Sequence, residues 1–164
     1  MAIKEALIAE LKHESGLTKK MLERVPLDKK DWKPHEKSMT IGRLATHVAE
    51  VTNWVSRILH IDDFDFAANQ FSSHTAASQQ ELLKIFQENF EKVLADLENT
   101  DEEMLNRQWI VRVGEKLMYE LPKKVAIRYW AFSHLIHHRG QLSVYLRLLD
   151  IPVPGMYGPS ADER

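Results

Sequence analysis

The sequence predicts an all-α fold, a four-helix bundle, and three observations carry that prediction. Four long segments repeat their apolar residues at helical spacing. Prolines, glycines and capping residues punctuate the chain between them. Strand-like patterning is confined to one stretch, 108–121, which is too short for a sheet domain. Helices that each bury one apolar stripe are satisfied by packing against one another.

The first helix is read from Ile3 to Val25, with Pro26 ending it. Ile3, Leu7 and Leu11 step by four, and so do Leu17, Met21 and Val25. The two sets are out of phase, so a kink is expected at Ser15-Gly16. The stretch 27–37 is polar and irregular, with Trp32 and Pro34 as packing points. Thr40 is placed to cap a second helix that reaches His60. A linker from Ile61 to Ala77 follows, with the acidic-aromatic piece Asp62-Asp63-Phe64-Asp65-Phe66.

Ser78 and Glu81 form a capping box for the third helix, which repeats Leu82, Phe86, Phe90, Val93, Leu94 and Leu97. Thr100 and Glu103 form a second box for a short helix over 101–106. β-branched and aromatic residues around Gly114 predict a small hairpin between the third and fourth long helices. Pro122 suits the first turn of the fourth helix, which runs to Leu149. The Pro- and Gly-rich tail from Ile151 to Ser160 is not helical. No repeat or boundary divides the chain, so residues 1–164 are read as a single domain.

At 164 residues such a domain buries roughly 70% of its unfolded surface. A formal charge of -2 offers no general basic field, so nucleic acid is not the expected partner. There are no cysteines, which excludes disulfides, thiolate metal ligands and a cysteine nucleophile, and fits a cytoplasmic protein. The charged start Met1-Ala-Ile-Lys-Glu5 is not a signal peptide. No apolar run approaches the ~18 residues of a membrane span.

The chain has eight histidines, and three of them fall on inward helical faces. His134 and His138 are one turn apart on the stripe Ile127, Ala131, His134, His138, Gln141, Tyr145. His47 shares its stripe with Leu44, Val51, Trp54 and Ile58. Each buried imidazole needs a partner, at about 1–3 kcal/mol if unmet, and one metal ion would satisfy all three. Three histidines leave a coordination position open, as catalytic sites do. Without thiolates the ion is a divalent transition metal such as zinc, nickel or iron. His137 points about 100° away from His138 and is expected to meet solvent. Glu10 and His13 form an E-x-x-H pair without the second motif that a di-iron site requires, and are read as a solvated face. Ser133 is read as a packing residue. No Gly-rich phosphate loop or nucleophile elbow is present.

Three segments resemble the DinB/YfiT-like superfamily of four-helix-bundle metalloenzymes. They are Trp32-Lys-Pro-His-Glu-Lys-Ser-Met-Thr-Ile-Gly-Arg-Leu-Ala-Thr-His47, His134-Leu-Ile-His-His-Arg-Gly-Gln141 and Pro154-Gly-Met-Tyr-Gly-Pro-Ser160. The resemblance implies a metal held by His47, His134 and His138, and a homodimer. It also implies a small-molecule substrate, with a cellular thiol such as bacillithiol or mycothiol as co-substrate in an S-transfer reaction. Metal-dependent hydrolysis and a non-enzymatic stress-response bundle are the alternatives. Gln141 and Tyr145 are expected to line the pocket and orient substrate, Trp54 to lie in the pocket or behind the metal ligands, and Glu50 to fix the His47 tautomer. No general acid or base stands out. Asp150 departs from the glycine expected after the fourth helix.

Overall fold

The computed structural model describes residues 2–69 and 73–163. Met1 and the part of the expected linker at 70–72 lie outside the described residues. The molecule is mostly helical, with a small three-stranded sheet. The sheet corrects the all-α expectation.

Helix α1 spans Ile3–Leu22 without a break at Ser15-Gly16. Its buried stripe is Leu7, Leu11, Glu14, Thr18 and Met21, an unbroken series of three- and four-residue steps. The apparent phase shift arises because two members of that stripe are polar. Both have a buried partner, Arg139. Val25 is buried but lies beyond the helix end.

Thr40 caps α2 (Ile41–Glu50) as expected, its hydroxyl accepting from the Arg43 amide at 3.2 Å. A 3-10 turn at Val51–Asn53 joins α2 to α3 (Trp54–His60). The α2 start sits close against the preceding loop, where the Gly42 amide donates to the Lys30 carbonyl at 2.9 Å. A Cβ at Gly42 would stand 2.8 Å from the Lys30 Cβ, which explains the glycine.

Helix α4 (Gln79–Glu98) has Ser78 as its cap, accepting from the Glu81 amide at 3.1 Å. The Glu81 carboxylate reaches back to the Ala77 amide at 2.7 Å, one residue beyond the expected box. Helix α5 (Glu102–Asn106) is capped by Asp101, not Thr100. The Thr100 hydroxyl instead donates to the Asp96 carbonyl and stays with the preceding helix.

The hairpin is present as β2 (Gln108–Val113) and β3 (Lys116–Pro122), turning through Gly114 at φ 59°. A third strand, β1 (Asp63–Asp65), pairs parallel with β2, giving the order β1-β2-β3. It falls inside the stretch read as a linker. Alternation still holds over its three residues: Phe64 is buried while Asp63 and Asp65 both ion-pair with Arg112 of β2.

The fourth long segment is α6 (Lys123–Ile127), a π-helical turn at Arg128–Ser133, and α7 (His134–Leu148). Pro122 ends β3 and caps α6 rather than occupying its first turn. Lys123 is fully buried, donating to the Leu59 carbonyl and to Asp62, and so ties α6 to the end of α3. Around the core, α4 packs on α1 and α2, and α7 packs on α2 and α1.

Helix α7 ends in a Schellman motif. The Ile151 amide donates to the Leu146 carbonyl and the Asp150 amide to the Arg147 carbonyl. Asp150 therefore takes φ 56°, the left-handed conformation that favours glycine. Asp150→Gly is expected to stabilise the protein by up to about 1 kcal/mol, and Asp150→Val to destabilise it by about 1–2 kcal/mol. Thermal unfolding of the two variants checks the opposite signs.

Candidate metal centre

His47 lies on the inner face of α2, and His134 and His138 are one turn apart at the start of α7. The α2–α7 packing brings all three together. One ring nitrogen from each lies within 4.8 Å of the others, and all three side chains are half-buried. Among the described residues this is the one group of three or more histidine or carboxylate side chains close enough to share an ion.

The nitrogens are suitably prepared. His47 Nε2 stands 3.3 Å from His134 Nε2. Two nitrogens bound to one tetrahedral zinc at about 2.0–2.1 Å would stand about 3.3–3.4 Å apart. His138 Nδ1 donates to Gln141 Oε1 at 2.7 Å, and His134 Nδ1 approaches the Trp130 carbonyl at 3.4 Å. Carbonyl oxygens only accept, so both bonds place the proton on Nδ1 and turn the Nε2 lone pairs inward. The Trp130 carbonyl belongs to the π-helical turn that precedes α7. The donor set and its outer hydrogen bonds are those of a group that could hold a metal ion.

Burial holds the His47 imidazole down to about 4, with smaller contributions from His138, His134 and the Arg43 guanidinium. Burial also lowers His134 and His138, against the opposing hydrogen bonds to Trp130 and Gln141. All three are therefore neutral at neutral pH, the form that binds metal. The unfolded chain takes up these protons near 6.5, before the folded chain does. Stability of the metal-free protein is therefore present above 6.5 and is lost as pH falls toward 4. Urea unfolding between pH 7.5 and 4.5 should show that decline, and His47→Leu should flatten it. A midpoint that rises on acidification would contradict the assignment.

A cavity of about 530 Å³ opens beside the histidines, and His47 and His134 form part of its wall. Glu50 and Trp54 line it, as does Trp130. Glu50 does not hold the His47 tautomer; its carboxylate pairs with Arg43 at 3.4 Å. Gln141 stands behind His138 as its hydrogen-bond partner and is not part of the cavity lining. Tyr145 is also outside the lining, donating to the Met39 carbonyl and packing edge-on against Trp32. Hydrogen bonding at each helix face, invisible in the spacing, decided both positions. His137 is exposed, as expected. His13 is exposed too, but Glu10 is partly buried and ion-pairs with Arg128. Ser133 is exposed and borders an apolar hollow on the other side of Trp130.

Sequence reasoning missed Arg43, Arg57, Phe66 and Trp130 as cavity residues. Two carried a usable signal: Arg43 precedes His47 by four residues, and Trp130 precedes His134 by four. Phe66 reaches the cavity through the sheet pairing, which no local pattern announces.

The sequence signature of the DinB family matches residues 1–164. The chain belongs to the DinB family. This DinB chain is similar to the uncharacterized protein YjoA of Bacillus subtilis strain 168, at 25% identity over 144 residues, covering 86% of this chain and 87% of that one. The crystal structure of the DinB-like YjoA from Bacillus subtilis superposes with a TM-score of 0.68 at 21% identity, over 97% of this chain and 99% of that chain. A DinB-like protein from Bacillus cereus superposes at 0.74 and 17% identity, over 93% and 97%. These likenesses establish a shared fold. No helix among the described residues is long and apolar enough to cross a membrane.

Proposed function

We propose that this DinB protein is a metal-dependent enzyme that transfers a group to or from the sulfur of a small cellular thiol. In this reading it works as a cytoplasmic homodimer with one divalent ion per chain, held by His47, His134 and His138. The observation that carries the reading is that two of the three grouped histidines, His47 and His134, stand in the wall of an open cavity. A structural site is closed by a fourth protein ligand, whereas a catalytic one keeps a position for substrate. A bound ion of this kind lowers the pKa of a coordinated thiol or water toward neutrality.

The remaining chemistry falls to the chain's own residues. Trp54 and Trp130 supply the apolar part of the cavity wall. The Arg43–Glu50 pair fixes the polar part. A thiolate suits a zinc-type ion as a soft ligand, which favours thiol over water as the nucleophile.

Cobalt-substituted protein titrated with bacillithiol, mycothiol and glutathione tests this. Intense sulfur-to-metal charge transfer with one thiol, absent in His134→Ala, is the expected result. No spectral change with any thiol, together with metal-dependent ester or amide cleavage, would replace it with the hydrolase reading. Neither response, with stoichiometric metal, would leave a non-enzymatic metal-binding protein.

A further inference from the structure

The charges and rings in the cavity wall specify more than a metal position. The charged lining residues are Arg43, Arg57 and Glu50, two guanidiniums against one carboxylate. Arg43 already shares Glu50 at 3.4 Å and donates to the His74 carbonyl at 3.1 Å, so it is held in place. The Arg57 guanidinium carbon stands 5.5 Å from the Trp54 ring and 5.9 Å from Phe64. Arg57 thus brings a guanidinium against the aromatic wall, a group that suits a carboxylate or phosphate.

The rest of the wall is aromatic. Trp130 lies 5.4 Å from Trp54 and 5.6 Å from Phe66, so three rings form a continuous apolar panel. A cavity of about 530 Å³ is of the size that encloses a small organic molecule. An excess of positive charge beside an aromatic panel selects a ligand with both features: an anionic group and an apolar or planar body.

We infer that the cavity binds a small organic anion, with its carboxylate or phosphate on Arg57 and Arg43 and its apolar body against Trp54, Phe66 and Trp130. This rests on reading the cavity as the substrate site. It does not require the metal to be bound, so the two readings can fail separately.

The test uses the full chain, both chelator-treated and zinc-loaded, with benzoate, phenyl phosphate, inorganic phosphate, benzyl alcohol and benzylamine as probes. The protein has four tryptophans, and their indole N–H signals can be resolved by NMR. Benzoate or phenyl phosphate is expected to shift Trp54 and Trp130 and to leave Trp32 unmoved. The tighter of these two identifies the anionic group. Inorganic phosphate, benzyl alcohol and benzylamine should bind at least tenfold more weakly, each lacking one of the two features. Arg57→Gln should weaken benzoate or phenyl phosphate about tenfold, since hydrogen bonds to charged groups are worth that much. Arg57 is exposed, so the variant is expected to fold, and Arg57→Lys should fall between it and the native chain.

Binding of benzoate to protein that takes up no zinc would support the anion site while removing the metalloenzyme reading. Equal or tighter binding of benzylamine would overturn the inference. So would shifts confined to Trp32, or an Arg57→Gln variant that binds benzoate as the native chain does.

Discussion

Replacing Arg139 with methionine is expected to lower the unfolding free energy by about 3–5 kcal/mol, because it leaves a buried carboxylate without its counter-charge. Arg139 is 2% exposed and Glu14 5% exposed. Arg139 Nη2 meets Glu14 Oε2 at 2.6 Å, and Nη1 donates to the Glu14 carbonyl and the Thr18 hydroxyl, each at 3.0 Å. The Tyr157 hydroxyl accepts from Nη2 and donates to the Glu14 carboxylate. Burial and that carboxylate together raise the Tyr157 pKa. One guanidinium thus joins α7, α1 and the C-terminal tail. Glu14→Gln combined with Arg139→Met should cost less than the two separate losses added, since the stranded charge is gone. Urea unfolding measures both. A loss below about 1 kcal/mol for Arg139→Met would show that the network is not carrying this load.

The second large effect concerns the metal. Removing any one of His47, His134 or His138 is expected to lower zinc affinity by more than the 10–100-fold typical of an outer hydrogen-bond partner. Gln141→Leu should fall within that 10–100-fold range, because it removes only the acceptor that holds the His138 tautomer. His137→Ala should leave affinity unchanged, since that side chain is exposed and outside the group. Competition with a chromogenic chelator ranks all five variants. Equal loss for His137→Ala and His138→Ala would remove the assignment.

The long helices were legible because their apolar residues repeat within one element. Leu82, Phe86, Val93 and Leu97 state the inward face of α4 without reference to the rest of the chain. The three histidines were legible for the same reason, each sitting on a periodic apolar stripe. Strand β1 was not, because three residues carry little period and their partners, Ile110, Val111 and Arg112, are remote in sequence. The continuity of α1 was hidden by Glu14 and Thr18, polar residues on a buried stripe whose reason is Arg139. Glu50 shows the same limit from the other side. Its spacing allowed a role behind His47, and only the fold revealed that Arg43 takes it. Asp150 was visible as an exception in the sequence, and its φ of 56° gives the physical content of that exception.

The central claim is that His47, His134 and His138 hold one divalent ion. The most direct measurement is zinc titration of untagged, chelator-treated protein, followed by X-ray absorption at the zinc edge. One ion per chain, with three imidazole nitrogens at about 2.0–2.1 Å and a lighter fourth ligand, is the predicted result. Less than stoichiometric uptake, or a spectrum unchanged in His134→Ala, would contradict it.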